Sequence, residues 1–148
     1  MNILDTDALS HHMKRNAIGI ASEARMVAAP DPDFWTSAVS AFEIMDGAVT
    51  FHKATKKKRK DLIPSFDLVQ EVVEYLGSWR GRIHRYDTSA DRIYRGFTPR
   101  LRQELGDDAR IAAIALSHGA AVWTCNVNDF KQVPGLAVYR AETGLRVV

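Results

Sequence analysis

The chain has one cysteine, Cys125, among its 148 residues, so an internal disulfide is excluded and a reducing cytoplasm is the expected setting. No stretch approaches the ~20 apolar residues of a membrane span, and no membrane association is expected. The opening MNILDTDALS has neither a basic stretch leading into an apolar one nor a small-residue cleavage site. The charges nearly cancel, with 20 Lys and Arg against 18 Asp and Glu, so the net +2 does not by itself imply a nucleic-acid partner. The five histidines have no metal-binding spacing, and repeats, low-complexity tracts and linkers are lacking. What is present is 46% hydrophobic content in a length suited to one domain, residues 1–148.

The most informative stretch runs from Gly106 to Phe130. Asp107 reads as a helix N-cap, and Ile111, Ile114, Ala115 and His118 recur at helical spacing until Gly119. Ala120 to Thr124 reads as a buried strand, ending in a turn with Asn126, Asn128 and Asp129. Asp108 falls in the helix's first turn, where free N–H groups and the helix dipole favour a carboxylate. At the other terminus, Asn2 to Leu4 reads as a strand that delivers Asp5 at its carboxyl end, where open α/β sheets bind ligands. Asp7 reads as the cap of the following helix.

Ile18 to Ala29 predicts a packing helix, stopped by Pro30 and Pro32. Phe34 to Val39 predicts a strand, and Ser40 with Glu43 reads as a capping box opening the next helix. Asp5, Glu43 and Asp108 thus each fall at a strand end or helix start, which an α/β sheet can gather at one edge. Clustered carboxylates repel one another unless a hard cation neutralises them, so an acidic gathering predicts Mg²⁺ or Mn²⁺ rather than zinc.

The elements LDTD around Asp5, SAFE ending at Glu43, DARIAAIAL from Asp108 and TCNVNDF through Asp129 occur in an order and spacing that resembles the PIN-domain family. Within it, the chain is similar to the VapC-type toxins of bacterial toxin–antitoxin modules. The likeness extends over nearly the whole chain, including Tyr86-Asp87 and Val133-Pro134-Gly135-Leu136. It implies a three-layer α/β domain with a mainly parallel sheet flanked by helices, and a Mg²⁺-dependent endoribonuclease acting on tRNA or rRNA. It also implies a homodimer and a cognate antitoxin. The catalytic and metal-ligating set maps to Asp5, Glu43, Asp108 and Asp129, with Thr124 and Asn126 supporting it. The D-x-x-I-A-A spacing selects Asp108 over Asp107. Cys125 stands where the family often has Arg.

Two other readings stay open. LDTD and Gly106-Asp107-Asp108 are similar to aspartate-based phosphatases of the haloacid dehalogenase type, with Asp5 as nucleophile and Asp7 as acid/base. The chain can also be read as a PIN-like RNA- or partner-binding module without catalysis. In the middle, the run through Lys53, Lys56, Lys57, Lys58, Arg59 and Lys60 reads either as an RNA phosphate contact or as a solvated helix end and loop. Pro64 to Leu76 predicts a helix with Phe66, Val69, Val72 and Val73 on its apolar side. Thr88 to Phe97 predicts a helix, Thr98-Pro99 a loop or a new helix start, Leu136 to Tyr139 a core strand and Leu145 to Val148 a short terminal strand or an edge. The three tryptophans read as core or interface residues, the histidines as structural or surface ones, and Cys125 as a small buried residue.

Overall fold

In the computed structural model, which describes residues 1–148, the buried apolar residues fall into two groups on opposite sides of one sheet. The division follows from strand alternation. In β1 (Asn2–Leu4), Ile3 faces one core and Leu4 the other; in β4 (Ala121–Thr124), Val122 and Trp123 divide in the same way. Trp123 lies edge-on to Phe34 with centroids 4.8 Å apart, and its indole N–H donates to Asn2 Oδ1 at 3.0 Å. Its large ring is buried with no unmet polar group.

The strand order is β3-β2-β1-β4-β5-β6, where β2 is Phe34–Ser37, β3 Ile83–His84, β5 Val138–Arg140 and β6 Leu145–Arg146. All neighbours run parallel except the β5–β6 edge pair. The chain moves outward from β1 to β3 in one direction, then returns to lay β4 and β5 on the other side of β1. The order therefore reverses between β1 and β4, which opens a crevice at their carboxyl ends.

The first core is covered by α5 (Thr88–Gly96), α6 (Pro99–Leu105), α7 (Asp107–Ser117) and the single turn α8 (Val127–Phe130). The second is covered by α1 (Thr6–Lys14), α3 (Ala38–Lys57) and α4 (Ile63–Ser78), with α2 (Ala17–Val27) packed on α1. The three-layer α/β arrangement is the one expected. No helix is long and apolar enough to cross a membrane.

Several boundaries differ from the expectation. The strand predicted through Val39 ends at Ser37, whose Oγ accepts the Ser40 N–H at 3.0 Å and caps α3. Ser40 is therefore inside the helix, not its cap, and Glu43 sits in the second turn. Asp5, not Asp7, caps α1. The turn expected at Asn126 to Asp129 is helical, and β3 was not foreseen. Val72 alone of the predicted α4 apolar set is fully buried; Phe66 and Val73 are exposed.

Candidate active site

Parallel pairing of β1 with β2 and β4 places their carboxyl ends along one edge, and each strand hands over to an acid-bearing segment there. Asp5 follows β1, Glu43 rides on the helix that follows β2, and Asp129 lies in α8 after β4. Asp108 reaches the same edge from the opposite direction, because α7 runs back across the sheet before entering β4. Gly106 makes that possible. Its φ of 56° and ψ of −125° let α6 reverse directly into α7 in a conformation hostile to side chains. Gly106 occupies the cap position, so Asp107 is the first helical residue and not the N-cap read from the sequence.

Asp5 is 2% exposed and fully engaged. Its Oδ1 accepts the Ala8 N–H at 2.9 Å, and its Oδ2 accepts the Thr124 hydroxyl at 2.6 Å. Thr124 Oγ1 in turn accepts the Asn126 N–H at 2.8 Å, which commits the hydroxyl hydrogen to Asp5. Burial nevertheless dominates and pushes the Asp5 carboxyl up to about 7; the Thr124 and Ala8 hydrogen bonds oppose the rise, and the charges of Asp7 and Asp108 add to it.

Asp108 is also raised to about 7, first by burial and then by the charges of Glu43, Asp129, Asp7 and Asp107. Glu43 is raised by burial, opposed by a short hydrogen bond from the Thr6 hydroxyl, with Asp107 and Asp7 adding to the rise. Asp129 Oδ2 accepts the Asn126 side-chain N–H at 2.5 Å. Asp107 pairs with Arg110 at 2.7 Å within its own helix, whereas Asp108 has no cation beside it. The cluster thus brings together all four predicted acids through their charges, and the structure separates Asp108 from its paired neighbour.

The donors that hold these acids are neutral. Thr6, Thr124, Asn126 and backbone N–H groups orient the carboxylates without cancelling their charge. No three of the acids already close around a single point. The donor set nevertheless fits a hard divalent cation: it is all oxygen, and Asp5 and Asp108, raised first by burial and then by neighbouring carboxylates, have no cation beside them. Beside it a cavity of about 220 Å³ is lined by Thr6, Asp7, Lys14, Glu43 and Gly47 among others. The largest cavity, about 440 Å³, lies among His12, Glu23, Phe34, Trp79 and Arg82 and contains none of the acids.

Sequence reasoning missed Thr6 as the partner of Glu43 and assigned Asp7 to capping, although both stand in the LDTD string that marked the site. Cys125 is half-buried, and its thiol is pushed up to about 12, chiefly by burial, so it offers no nucleophile. His84 stacks between Trp35 and His118, at 4.3 and 3.9 Å, away from the acids, a structural use of those residues. The basic run does not join the acidic cluster; it forms the far end of α3 and the turn after it.

No protein-family model matches the chain, and neither does any curated protein. Solved structures do. The FitAB complex bound to an IR36 DNA fragment matches with a TM-score of 0.72 at 21% identity, covering 96% of each chain. A toxin–antitoxin complex from Klebsiella pneumoniae matches at 0.63 and 22% identity, over 95% of this chain and 98% of that one. VapBC2 from Rickettsia felis, bound to a promoter DNA fragment, matches at 0.62 and 17% identity, over 93% and 96%. The chain shares the PIN-like fold of these toxin–antitoxin structures over nearly its whole length.

Proposed function

We propose that this chain is a metal-dependent endoribonuclease toxin, held inactive by a cognate antitoxin. The observation that carries the reading is the pair Asp5 and Asp108, both raised to about 7 beside Glu43 and Asp129 at the crevice between β1 and β4. Asp5 and Asp108 would hold Mg²⁺ or Mn²⁺, with Glu43 and Asp129 completing the pocket or holding water. When bound, such an ion acidifies water and offsets charge on the phosphoryl and departing oxygens.

The chain's own residues supply position. Thr124 and the Ala8 N–H fix the Asp5 carboxylate on a buried strand end, Thr6 aims Glu43, and Asn126 aims Asp129. Asp108 has no cation in place to compete for it. An RNA phosphodiester entering the crevice would meet this array beyond the strand ends, and attack by water would leave a 5′-phosphate and a 3′-hydroxyl. The phosphatase reading fits less well, because the solved structures that match over nearly the whole chain are toxin–antitoxin complexes. The partner half of the proposal, an antitoxin and a second copy of the chain, is supported by apolar side chains exposed on α3 and α4, among them Phe42, Met45, Ile63, Phe66 and Val73. The matched structures are toxin–antitoxin complexes, which supports the antitoxin part.

The test is to incubate wild-type and Asp108→Asn proteins with total cellular RNA, including tRNA and rRNA, and Mg²⁺ or Mn²⁺, then map new 5′ ends. Discrete cuts by the wild type alone, abolished by chelator, are expected, with the variant slower by about 100-fold or more. Equal cutting by both proteins would overturn the assignment.

A further inference from the structure

Five lysines and Arg59 form the tip of the α3–α4 hairpin. Lys53, Lys56 and Lys57 lie in the last turns of α3, Lys58 caps it, and Arg59 and Lys60 lead away. All six are exposed, and none is paired with an acid. Elsewhere some cations are paired, Arg95 with Asp91 at 2.6 Å, Arg100 with Glu104 at 2.8 Å and Arg110 with Asp107 at 2.7 Å, and no other stretch sets six unpaired cations within eight consecutive residues. The single acid among residues 47–66, Asp61, is turned to the Ile63 N–H at 3.0 Å.

Helix capping accounts for part of this. Cations favour a helix C-terminus, which rationalises those in the last turn of α3 but not Arg59 and Lys60 beyond it. Arg59 has φ of 53°, in the left-handed region, while its N–H donates to Lys56 O at 3.1 Å and the Lys60 N–H to Thr55 O at 3.2 Å. Glycine is the usual occupant of that position, since it adopts the conformation without strain. An arginine there trades backbone ease for an exposed guanidinium.

The formal balance of the whole chain is only +2, so with six cations and one acid in residues 47–66 the remainder is net acidic. The acidic edge repels a polyanion, and a compensating attraction must come from elsewhere. From Glu43 to Lys57 is one uninterrupted helix, about 21 Å along its axis. We propose that the hairpin tip anchors the phosphate backbone of the RNA whose scissile segment lies at the acidic edge. This rests on the ribonuclease reading and narrows its substrate class. The RNA must therefore extend several nucleotides from the cut to engage both ends of α3. The contact is with backbone, so it positions the strand and is blind to sequence.

The test compares wild type with the five-fold variant K56Q/K57Q/K58Q/R59Q/K60Q. Binding of a ~30-nucleotide RNA is measured by fluorescence anisotropy in chelator, across ~50–200 mM salt, so that it does not depend on cleavage. The variant is expected to lose at least tenfold in affinity at low salt and ~3–4 units of the log–log salt slope. With metal added, kcat/KM should fall for the long RNA and stay unchanged for a dinucleotide, which is too short to reach the tip. Arg59→Gly separates charge from backbone: its melting temperature should be unchanged or raised while RNA affinity falls about two- to threefold. Tip-dependent RNA binding by a protein that cuts nothing would sustain the anchor and remove the nuclease. Equal RNA affinity and salt slope in wild type and the five-fold variant would overturn the proposal. So would a tenfold preference of wild type for duplex DNA of the same length, or loss by the variant of binding to poly-glutamate with RNA binding intact, which would mark a protein partner.

Discussion

The two ends of α3 carry opposite charge and handle it in the same way. At one end Glu43 joins Asp5, Asp108 and Asp129, held by hydroxyl, amide and backbone donors that leave the negative charge intact. At the other, the cations from Lys53 to Lys60 stand in solvent without a carboxylate partner. Elsewhere part of the surface charge is neutralised through short intrahelical pairs such as Arg95–Asp91 and Arg100–Glu104. In the function proposed above an outside partner balances each end, a divalent cation the acidic one and a phosphate backbone the basic one. The acidic end is also the costly one, because its charges are buried, whereas water screens the tip.

That difference in cost can be broken or sharpened by substitution. The largest effect is expected for Thr124→Val, which takes the donor from a buried carboxylate and the acceptor from the Asn126 N–H. It should destabilise the protein by about 2–3 kcal/mol in urea unfolding, while Thr124→Ser, which keeps both bonds, should cost less than about 1 kcal/mol. Comparable losses for the two variants would show that the hydroxyl network does not hold the site.

A smaller effect concerns pH. Asp5 and Asp108 bind a proton more tightly when folded, with pKa near 7, than when unfolded, near 4. The stability this lends is whole below about pH 4 and is lost as pH rises toward and through 7, the reverse of the usual carboxylate trend. In chelator, the wild type should therefore melt at lower temperature at pH 7.5 than at pH 5. Asp108→Asn should flatten that slope and gain about 1 kcal/mol at pH 7.5, a modest figure because solvent reaches the group. A variant with an undiminished slope would place the titration elsewhere. At the tip, Arg59→Gly releases a strained backbone and should shift stability by no more than about 0.5 kcal/mol, the smallest change of the three.

The sequence made visible what local chemistry decides. β1 was read to the residue, the start of α5 was read at Thr88, behind the Asp87 that caps it, and of the two readings of Thr98-Pro99 the helix start is the one observed, with Thr98 as its cap. The four acids singled out in the sequence mark local junctions: Asp5 ends β1, Glu43 and Asp129 lie in helices that follow β2 and β4, and Asp108 opens the helix that leads into β4. What escaped was set at a distance. Ser37 and Ser40 are equivalent as local caps, and the choice between them depends on where pairing with β1 and β3 releases β2. β3 is two residues long and exists only through its pairing to β2. The bonds that hold the site join Thr6 to Glu43 and Thr124 to Asp5, across 37 and 119 residues, and no local pattern encodes them. The isolation of Asp108 from cations likewise depends on Arg110 choosing Asp107.

The most direct measurement is a calorimetric titration of purified wild type, Asp5→Asn and Asp108→Asn with Mn²⁺ at pH 7.5. Saturable binding to the wild type is expected, with release of the protons that the two raised carboxyls still hold, and at least tenfold weaker binding to each variant. Absence of binding to folded wild type, or equal binding by all three, would contradict the proposal.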